Sequence, residues 1–369
     1  MAKRIVLAGG GTAGHIEPAL AVADSLHRKD PTINIEFIGT ASGLENLLVP
    51  QRGYRLRTIP KVVLPRRFAI TSLIFPIAII KSVATAKKIL TGADLLIGFG
   101  GYVSASAYLG ARLARVPIVI HEANAKPGWA NKLGRRLASL SAVNFADVQK
   151  QWSGSVLTGM PIRNAISELA KLSPEERAKF RELHAKSFGL DTSRPIIALF
   201  GGSQGSSQMN QAIAGYLEAS SQSGVSPLQI IHAVGINNPL PDSKNDYLPM
   251  AYFHDMAAIY GVADLLVTRS GAVTCSELMT VARFAILVPL PHGNGEQVDN
   301  AQALVDQNRA VMVRNEEFTS EWLLANLAKF ADLAKGKEIA PVPLHLHAAD
   351  RIAELAMSKL LPKEAGAGR

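Results

Sequence analysis

Arg4-Ile5-Val6-Leu7-Ala8-Gly9-Gly10-Gly11-Thr12-Ala13-Gly14-His15 is a short run of strand-forming residues that meets a glycine-rich turn, with a helical pattern directly behind it. The same order returns 192 residues later, where Ile196-Ile197-Ala198-Leu199-Phe200 runs into Gly201-Gly202-Ser203-Gln204-Gly205. A strand that enters a helix through glycines is the opening unit of a parallel α/β sheet, and its turn lets backbone amides and a helix N-terminus meet a phosphate or another anion. Two such openings predict two Rossmann-like domains. Ligands of open α/β sheets bind at the carboxyl ends of the strands, so two facing domains of this kind predict a site in a central cleft.

The rest of the chain keeps that rhythm. Apolar runs at Asn34–Ile38, Asp94–Phe99, Pro117–His121, Leu228–Val234, Asp264–Thr268, Ala285–Pro289 and Ala310–Val313 alternate with helical patterns, which is the βαβ signature of parallel sheets. At 369 residues the chain exceeds the size at which one core stops growing. The junction is expected near Gly159-Met160-Pro161-Ile162-Arg163, just before a charged helix that opens with Ser173 as N-cap and Pro174 at its first position. The predicted domains are therefore 1–163 and 164–348, and the tail after Leu361 reads as frayed.

Composition narrows the classes. With 48% hydrophobic and 19% charged residues the chain is globular rather than disordered, and its single cysteine, Cys275, excludes a disulfide scaffold. The N-terminus enters glycines after five apolar residues, so it reads as a first strand and not as a signal peptide. Phe68–Ile80, the longest uncharged apolar stretch, has 13 residues, too few to span a bilayer. The net charge of +9 is uneven: residues 1–163 hold 21 Lys/Arg against 8 Asp/Glu, and residues 164–369 hold 18 against 22. A domain that basic faces nucleic acid, an anionic membrane or a phosphorylated ligand. Nucleic acid is disfavoured, because the basic stretches lack interleaved aromatics and only 6% of residues are aromatic. The apolar segment Val63–Lys81, flanked by Arg66, Arg67 and Lys81, suits insertion into one leaflet.

Several constellations carry chemistry. Gly9-x-Gly11-x-x-Gly14 with Glu36 downstream matches a dinucleotide fingerprint, although Glu36 falls inside its strand. His15, where the turn becomes a helix, is placed to act as a general base. Glu122 and Asn124, in His121-Glu122-Ala123-Asn124, end a strand in polar residues, and Glu122 is a second candidate base. Glu17, two residues beyond His15, points about 200° away around a helix. In Thr268-Arg269-Ser270-Gly271-Ala272-Val273-Thr274-Cys275-Ser276-Glu277 a strand opens into a helix whose first amides can receive a diphosphate, with Glu277 placed to accept ribose hydroxyls. The loop Pro289–Gln297 is too polar for a simple connection. No Asp-x-Asp pair, GxxxxGK[ST] loop, GxSxG elbow or HExxH occurs, so neither a metal nor a cofactor is expected.

Gly10-Gly11-Thr12-Ala13-Gly14-His15-Ile16-x-Pro18-Ala19-Leu20-Ala21, Gly100-Gly101-Tyr102-Val103-Ser104, His121-Glu122-Ala123-Asn124, Gly201-Gly202-Ser203-Gln204-Gly205 and Arg269-Ser270-Gly271-Ala272-x-Thr274-x-Ser276-Glu277 together resemble the MurG family, in order along residues 5 to 315. The resemblance implies a GT-B glycosyltransferase that moves N-acetylglucosamine from UDP-GlcNAc to the C4 hydroxyl of the muramyl sugar of lipid I, giving lipid II for peptidoglycan. It implies a peripheral enzyme at the cytoplasmic side of the cell membrane. It assigns donor binding to Thr12, Ala13, Gly14, Asn124, Arg163, Ser203, the segment Ala272 to Glu277 (Ala272, Val273, Thr274, Cys275, Ser276, Glu277) and Gln297, and places Phe253 beside uracil. It also implies that a C-terminal helix, about 349–362, crosses back to the first domain. The chain departs from many members at Ala13, at Ala123, at Phe253 and in the loop Gly293-Asn294-Gly295-Glu296-Gln297.

Overall fold

The computed structural model describes residues 2–11, 13–62, 71–223, 228–244, 246–291 and 294–360, and the side chains of 13, 71–74 and 223 lie outside that description. The chain divides into two compact units, Met1–Arg163 with Leu344–Arg369, and Asn164–Pro343.

Among the described residues the first unit has one sheet of seven parallel strands, β1 (Arg4–Ala8), β2 (Asn34–Gly39), β3 (Arg55–Thr58), β4 (Leu95–Gly98), β5 (Ile118–Glu122), β6 (Leu140–Val143) and β7 (Val156–Leu157), in the order β3-β2-β1-β4-β5-β6-β7. Its helices are α1 (Ala13–Lys29), α2 (Glu45–Gln51), α3 (Thr71–Leu90), α4 (Gly101–Ala114), α5 (Trp129–Arg135) and α6 (Ala146–Gln151). Strand β1 is buried on both faces, as its unbroken apolar run requires. Alternate residues go to opposite sides of the sheet. Ile5 and Leu7 join a core with Ile16, Leu20 and Leu26 of α1, while Val6 and Ala8 join a second core with Ala107, Tyr108 and Ala111 of α4.

The second unit repeats the plan. Helices α7 (Asn164–Lys171) and α8 (Pro174–Ser187) precede β8 (Ile196–Phe200), α9 (Ser207–Ser223), β9 (Gln229–Ala233), β10 (Tyr247–Met250), α10 (Met256–Val262), β11 (Leu265–Thr268), α11 (Ala272–Val281), β12 (Phe284–Leu287), α12 (Glu296–Val305), β13 (Ala310–Met312) and α13 (Ser320–Gly336). The six strands are parallel in the order β10-β9-β8-β11-β12-β13. At α8 the Ser173 hydroxyl accepts the Glu176 N–H while the Glu176 carboxylate accepts the Ser173 N–H, with Pro174 at the first position.

Four strands were not legible as apolar runs. β3 reads Arg-Leu-Arg-Thr, β10 carries Pro249, and both stand at sheet edges, where arginine and proline are tolerated. β6 and β7 are four and two residues long.

After Pro343 the chain returns to the first unit through a 3-10 turn, Pro343–His347, and α14 (Ala348–Met357). This helix is shorter than the expected 349–362 and ends before the undescribed residues 361–369. Ile352, Ala353 and Ala356 complete the core on α1, and Asp350 and Glu354 pair with Arg28 and Lys29. The peptide Gly159–Met160 is held at both ends. His121 Nε2 donates to the Gly159 carbonyl (2.9 Å), and His345 Nδ1 accepts the Met160 N–H (3.0 Å). Burial pushes both imidazoles down to about 4, so they are neutral at pH 7. His121 is thus a core residue that fixes β5 behind Glu122, and not a ligand contact.

Candidate active site

In each sheet the strand order reverses once, between β1 and β4 in the first unit and between β8 and β11 in the second. The loops leaving those strands diverge there, which opens a crevice at their carboxyl ends. The candidate residues divide between these two places.

In the first unit, Gly9–Gly11 follow β1 and Gly100-Gly101 follow β4. His15 is the third residue of α1, partly exposed, and its ring lies against both later glycines: a Cβ at Gly100 would stand 3.5 Å from Nε2, and one at Gly101 3.3 Å from Nδ1. Those glycines have φ of +88° and +78°, so the backbone that seats the imidazole favours glycine on conformational grounds as well. Gly14 precedes His15 in the helix, Thr12 lies outside the described residues, and Ala13 is described by its backbone alone.

Glu122 ends β5 with 1% exposure. Its Oε1 accepts the Asn124 N–H (2.9 Å) and Nδ2 (3.4 Å), and its Oε2 accepts the Gly128 N–H (3.1 Å) and Asn131 Nδ2 (3.0 Å). Burial pushes its pKa up, and these donors pull it back. The Tyr108 hydroxyl donates to Asn131 Oδ1 (2.7 Å), and Asn131 also comes within 3.3 Å of the Cβ position at Gly100. A carboxylate so enclosed organises the loop that carries Asn124, which is half-buried; this geometry suits a support more than a proton acceptor. Tyr102 lies over Gly11, with a Cβ position 3.1 Å from its ring. Arg163 is half-buried at the end of the unit.

The dinucleotide expectation fails on geometry. The Glu36 carboxylate is 3% exposed and pairs with Arg4 (2.6 Å), Arg55 (3.6 Å) and Arg57 (3.7 Å). In register Glu36 lies beside Val6, inside the sheet rather than at the carboxyl end of its strand, and its carboxylate is already held by these arginines.

In the second unit, α11 begins at Ala272 with Gly271 as N-cap and no side-chain cap, so its leading amides point out of the helix end with the positive end of the dipole. Arg269 ties three loops together: Nη2 donates to Ser206 Oγ (2.6 Å), and Nη1 to the carbonyls of Val288 (3.0 Å) and Pro289 (3.2 Å). Ser270 Oγ donates to the Gln297 carbonyl (2.7 Å), and Asn300 Nδ2 to the Ser270 carbonyl (3.2 Å). Gln297 Oε1 accepts the Leu290 N–H (3.0 Å), so its side chain shapes its own loop, of which 292–293 lie outside the described residues. Ser203 is half-buried in the turn after β8.

Within Ala272 to Glu277 only Val273 and Thr274 are partly exposed. Cys275 is fully buried, and burial pushes its thiol up to about 12, so that position has only its backbone to offer a ligand. Ser276 and Glu277 are buried too, and the Tyr260 hydroxyl donates to Glu277 Oε2 (3.1 Å). Phe253, 3% exposed, packs edge-on to Phe200 (5.9 Å), which packs on Tyr260 (6.5 Å). The Phe253 ring therefore belongs to an internal aromatic cluster that leads to Glu277. Sequence reading missed Arg269, Ser206, Asn131, Tyr102 and Tyr260 as site builders; Arg269 and Tyr102 stood inside quoted motifs, while the others carried no local signal. Among the described residues no three His, Cys, Asp or Glu side chains gather as metal ligands.

The model of the glycosyltransferase family 28 N-terminal domain matches residues 5–142, and that of the family 28 C-terminal domain matches residues 196–340. A "UDP-N-acetylglucosamine--N-acetylmuramyl-(pentapeptide) pyrophosphoryl-undecaprenol N-acetylglucosamine transferase" of Streptomyces avermitilis is 44% identical over 335 residues, covering 88% of each chain. One of Corynebacterium diphtheriae with the same name is 42% identical over 328 residues, covering 88% of this chain and 87% of its own. The crystal structure of MurG from Acinetobacter baumannii superposes with a TM-score of 0.67 at 26% identity, covering 96% of this chain and 99% of that one. Two parallel-sheet Rossmann-like units, two family-model matches in chain order and this degree of identity establish the GT-B fold and show that the chain belongs to glycosyltransferase family 28 and, within it, to the MurG family.

Proposed function

We propose that His15 takes the acceptor's proton and that the amino end of α11 meets the charge of the departing UDP. The chain is a UDP-GlcNAc-dependent hexosyltransferase of peptidoglycan synthesis that moves N-acetylglucosamine to lipid I and gives lipid II. The C4 hydroxyl of the muramyl sugar loses its proton to the imidazole as its oxygen attacks the anomeric carbon. The bond from that carbon to the diphosphate breaks on the opposite side, and UDP leaves with the electron pair. Attack opposite an α-linked leaving group gives a β linkage. The observation that carries this reading is the uncapped start of α11 at the reversal point of the second sheet, braced by Arg269, which is an anion site made of backbone. Glu277, beside Tyr260, is the ribose-binding acid, its buried carboxylate being uncovered as the donor binds, with Ser203, Thr274 and Gln297 around the donor and Asn124, on the loop held by Glu122, toward the sugar. Transfer of labelled GlcNAc to lipid I, set against a diacylglycerol acceptor, tests the reaction, and product on diacylglycerol alone would overturn it. Because dipole and cation replace a metal clamp, transfer is expected to persist in excess EDTA; loss reversed by Mg²⁺ or Mn²⁺ would sink the metal-free leaving step.

Attachment to the cytoplasmic face of the membrane belongs to the same proposal. Among the described residues no helix is long and apolar enough to cross a membrane. Helix α3 exposes Ile77 (53%) and Ile80 (67%) beside the exposed Lys81, and the preceding Arg66 and Arg67 lie outside the described residues. A face that is apolar and cationic suits an anionic leaflet near a polyprenyl substrate. Flotation with anionic liposomes is expected to fall on replacement of Arg66 and Arg67 and on raising salt to about 0.5 M, where screening shortens to a few ångströms. Equal binding to neutral liposomes, or none to either, counts against it.

A further inference from the structure

Glu45 opens α2 with 1% exposure, and glycines surround its side chain. A Cβ at Gly43 would overlap the carboxyl group, one at Gly39 would stand 2.5 Å from Cγ, and one at Gly10 2.9 Å from Oε1. Inside this cradle Oε1 accepts the Thr40 N–H (2.8 Å) and the Thr40 hydroxyl (3.0 Å), and Oε2 accepts the Gly11 N–H (3.1 Å). The Tyr102 hydroxyl, over Gly11, comes within 3.4 Å of Thr40 Oγ1. A carboxylate of the chain itself thus occupies the amide that an anion-binding turn would offer to a ligand. The turn is also packed on the start of α1, since a Cβ at Gly9 would stand 2.8 Å from the His15 carbonyl oxygen.

Resting on the reading that His15 accepts the acceptor's proton, we propose that Glu45 is a positioning residue for the transfer: a built-in anion that sets the Gly9–Gly11 turn, and through it the seat of His15 against Gly100-Gly101. The Gly11 amide is then closed to the acceptor's diphosphate, whose charge falls to other groups. This one side chain ties the turn after β1 to the loop after β2, so a small change in it displaces the imidazole, and a shift of about 1 Å at a reacting group costs up to about a hundredfold in rate.

Glu45→Gln keeps the shape but turns an amide NH₂ toward N–H donors, whereas Glu45→Asp keeps the charge one methylene short. Glu45→Gln is expected to lower kcat at least about tenfold while the UDP-GlcNAc Kd stays within about twofold, and Glu45→Asp to recover part of that loss. In a His15→Ala background Glu45→Gln is expected to cost no more than about twofold further, because it acts through the imidazole. Losses that multiply, wild-type kcat in Glu45→Gln, or loss of UDP-GlcNAc binding would overturn the assignment. Should Glu45→Gln not fold, Glu45→Asp carries the same comparison. Wild-type enzyme that fails to make lipid II overturns the underlying reading, whereas wild-type turnover with multiplicative losses overturns the role of Glu45 alone.

Discussion

His15→Ala is expected to lower kcat for transfer to lipid I at least about tenfold, and by as much as the roughly 10² to 10⁴ that a general base typically contributes, with UDP-GlcNAc affinity little changed. A sugar hydroxyl ionises far above pH 7, so its proton needs an acceptor as the new bond forms. The imidazole is partly exposed at the reversal point of the first sheet, whereas the Glu122 carboxyl is 1% exposed and holds donors from Asn124, Gly128 and Asn131. A base must be unprotonated to act, so the wild-type rate falls as pH drops through its pKa. That acidic limb is expected to flatten in the mutant. Steady-state kinetics across about pH 5 to 9, with Kd from calorimetric titration, make the measurement. Near-normal kcat would move proton acceptance to water or Glu122, and lost UDP-GlcNAc binding would make His15 a donor-positioning residue.

Glu277→Ala is expected to weaken UDP-GlcNAc binding by about 1.5 to 3 kcal/mol, the scale of hydrogen bonds to a charged group, or roughly ten- to 150-fold in Kd. In the structure the carboxylate is fully buried one turn into α11, with the Tyr260 hydroxyl on Oε2. Tyr260→Phe separates its two tasks. Removing that hydroxyl alone is expected to cost no more than about 1 kcal/mol of donor affinity, since the carboxylate stays in place. If Glu277→Ala binds both UDP and UDP-GlcNAc normally, the acid is a structural partner of Tyr260 and the ribose assignment falls.

The expectation that failed and the one that was missed have the same cause. Glu36 was weighed as a possible ribose acid from its distance downstream of Gly14, yet it lies inside the sheet beside Val6, with its carboxylate held by Arg4, Arg55 and Arg57. Glu45 had no motif around it, yet it accepts the Gly11 amide from 34 residues away. Spacing along the chain says how far apart two residues are in sequence, and a carboxylate's partners are chosen by which loops the sheet order brings together.

By itself the sequence determined the class of fold. The run Ile5–Ala8 is apolar without alternation, which is stable only with both sheet faces covered, and the glycine turn that follows leaves one way on, into a helix. Those are local constraints of period and conformation, and they act on neighbours. It also determined that His15 and the start of α11 stand at strand ends, because each directly follows a strand and a turn. Tertiary structure alone decided which of the acids at those ends are already engaged. Glu45 is spent on Gly11 and Thr40, Glu122 on Asn124, Gly128 and Asn131, and Glu277 is buried against Tyr260. Burying a carboxylate is costly unless donors surround it; those of Glu122 come from its own β5–α5 segment, whereas the Gly11 amide reaches Glu45 from 34 residues away because β1 and β2 are neighbours in the sheet.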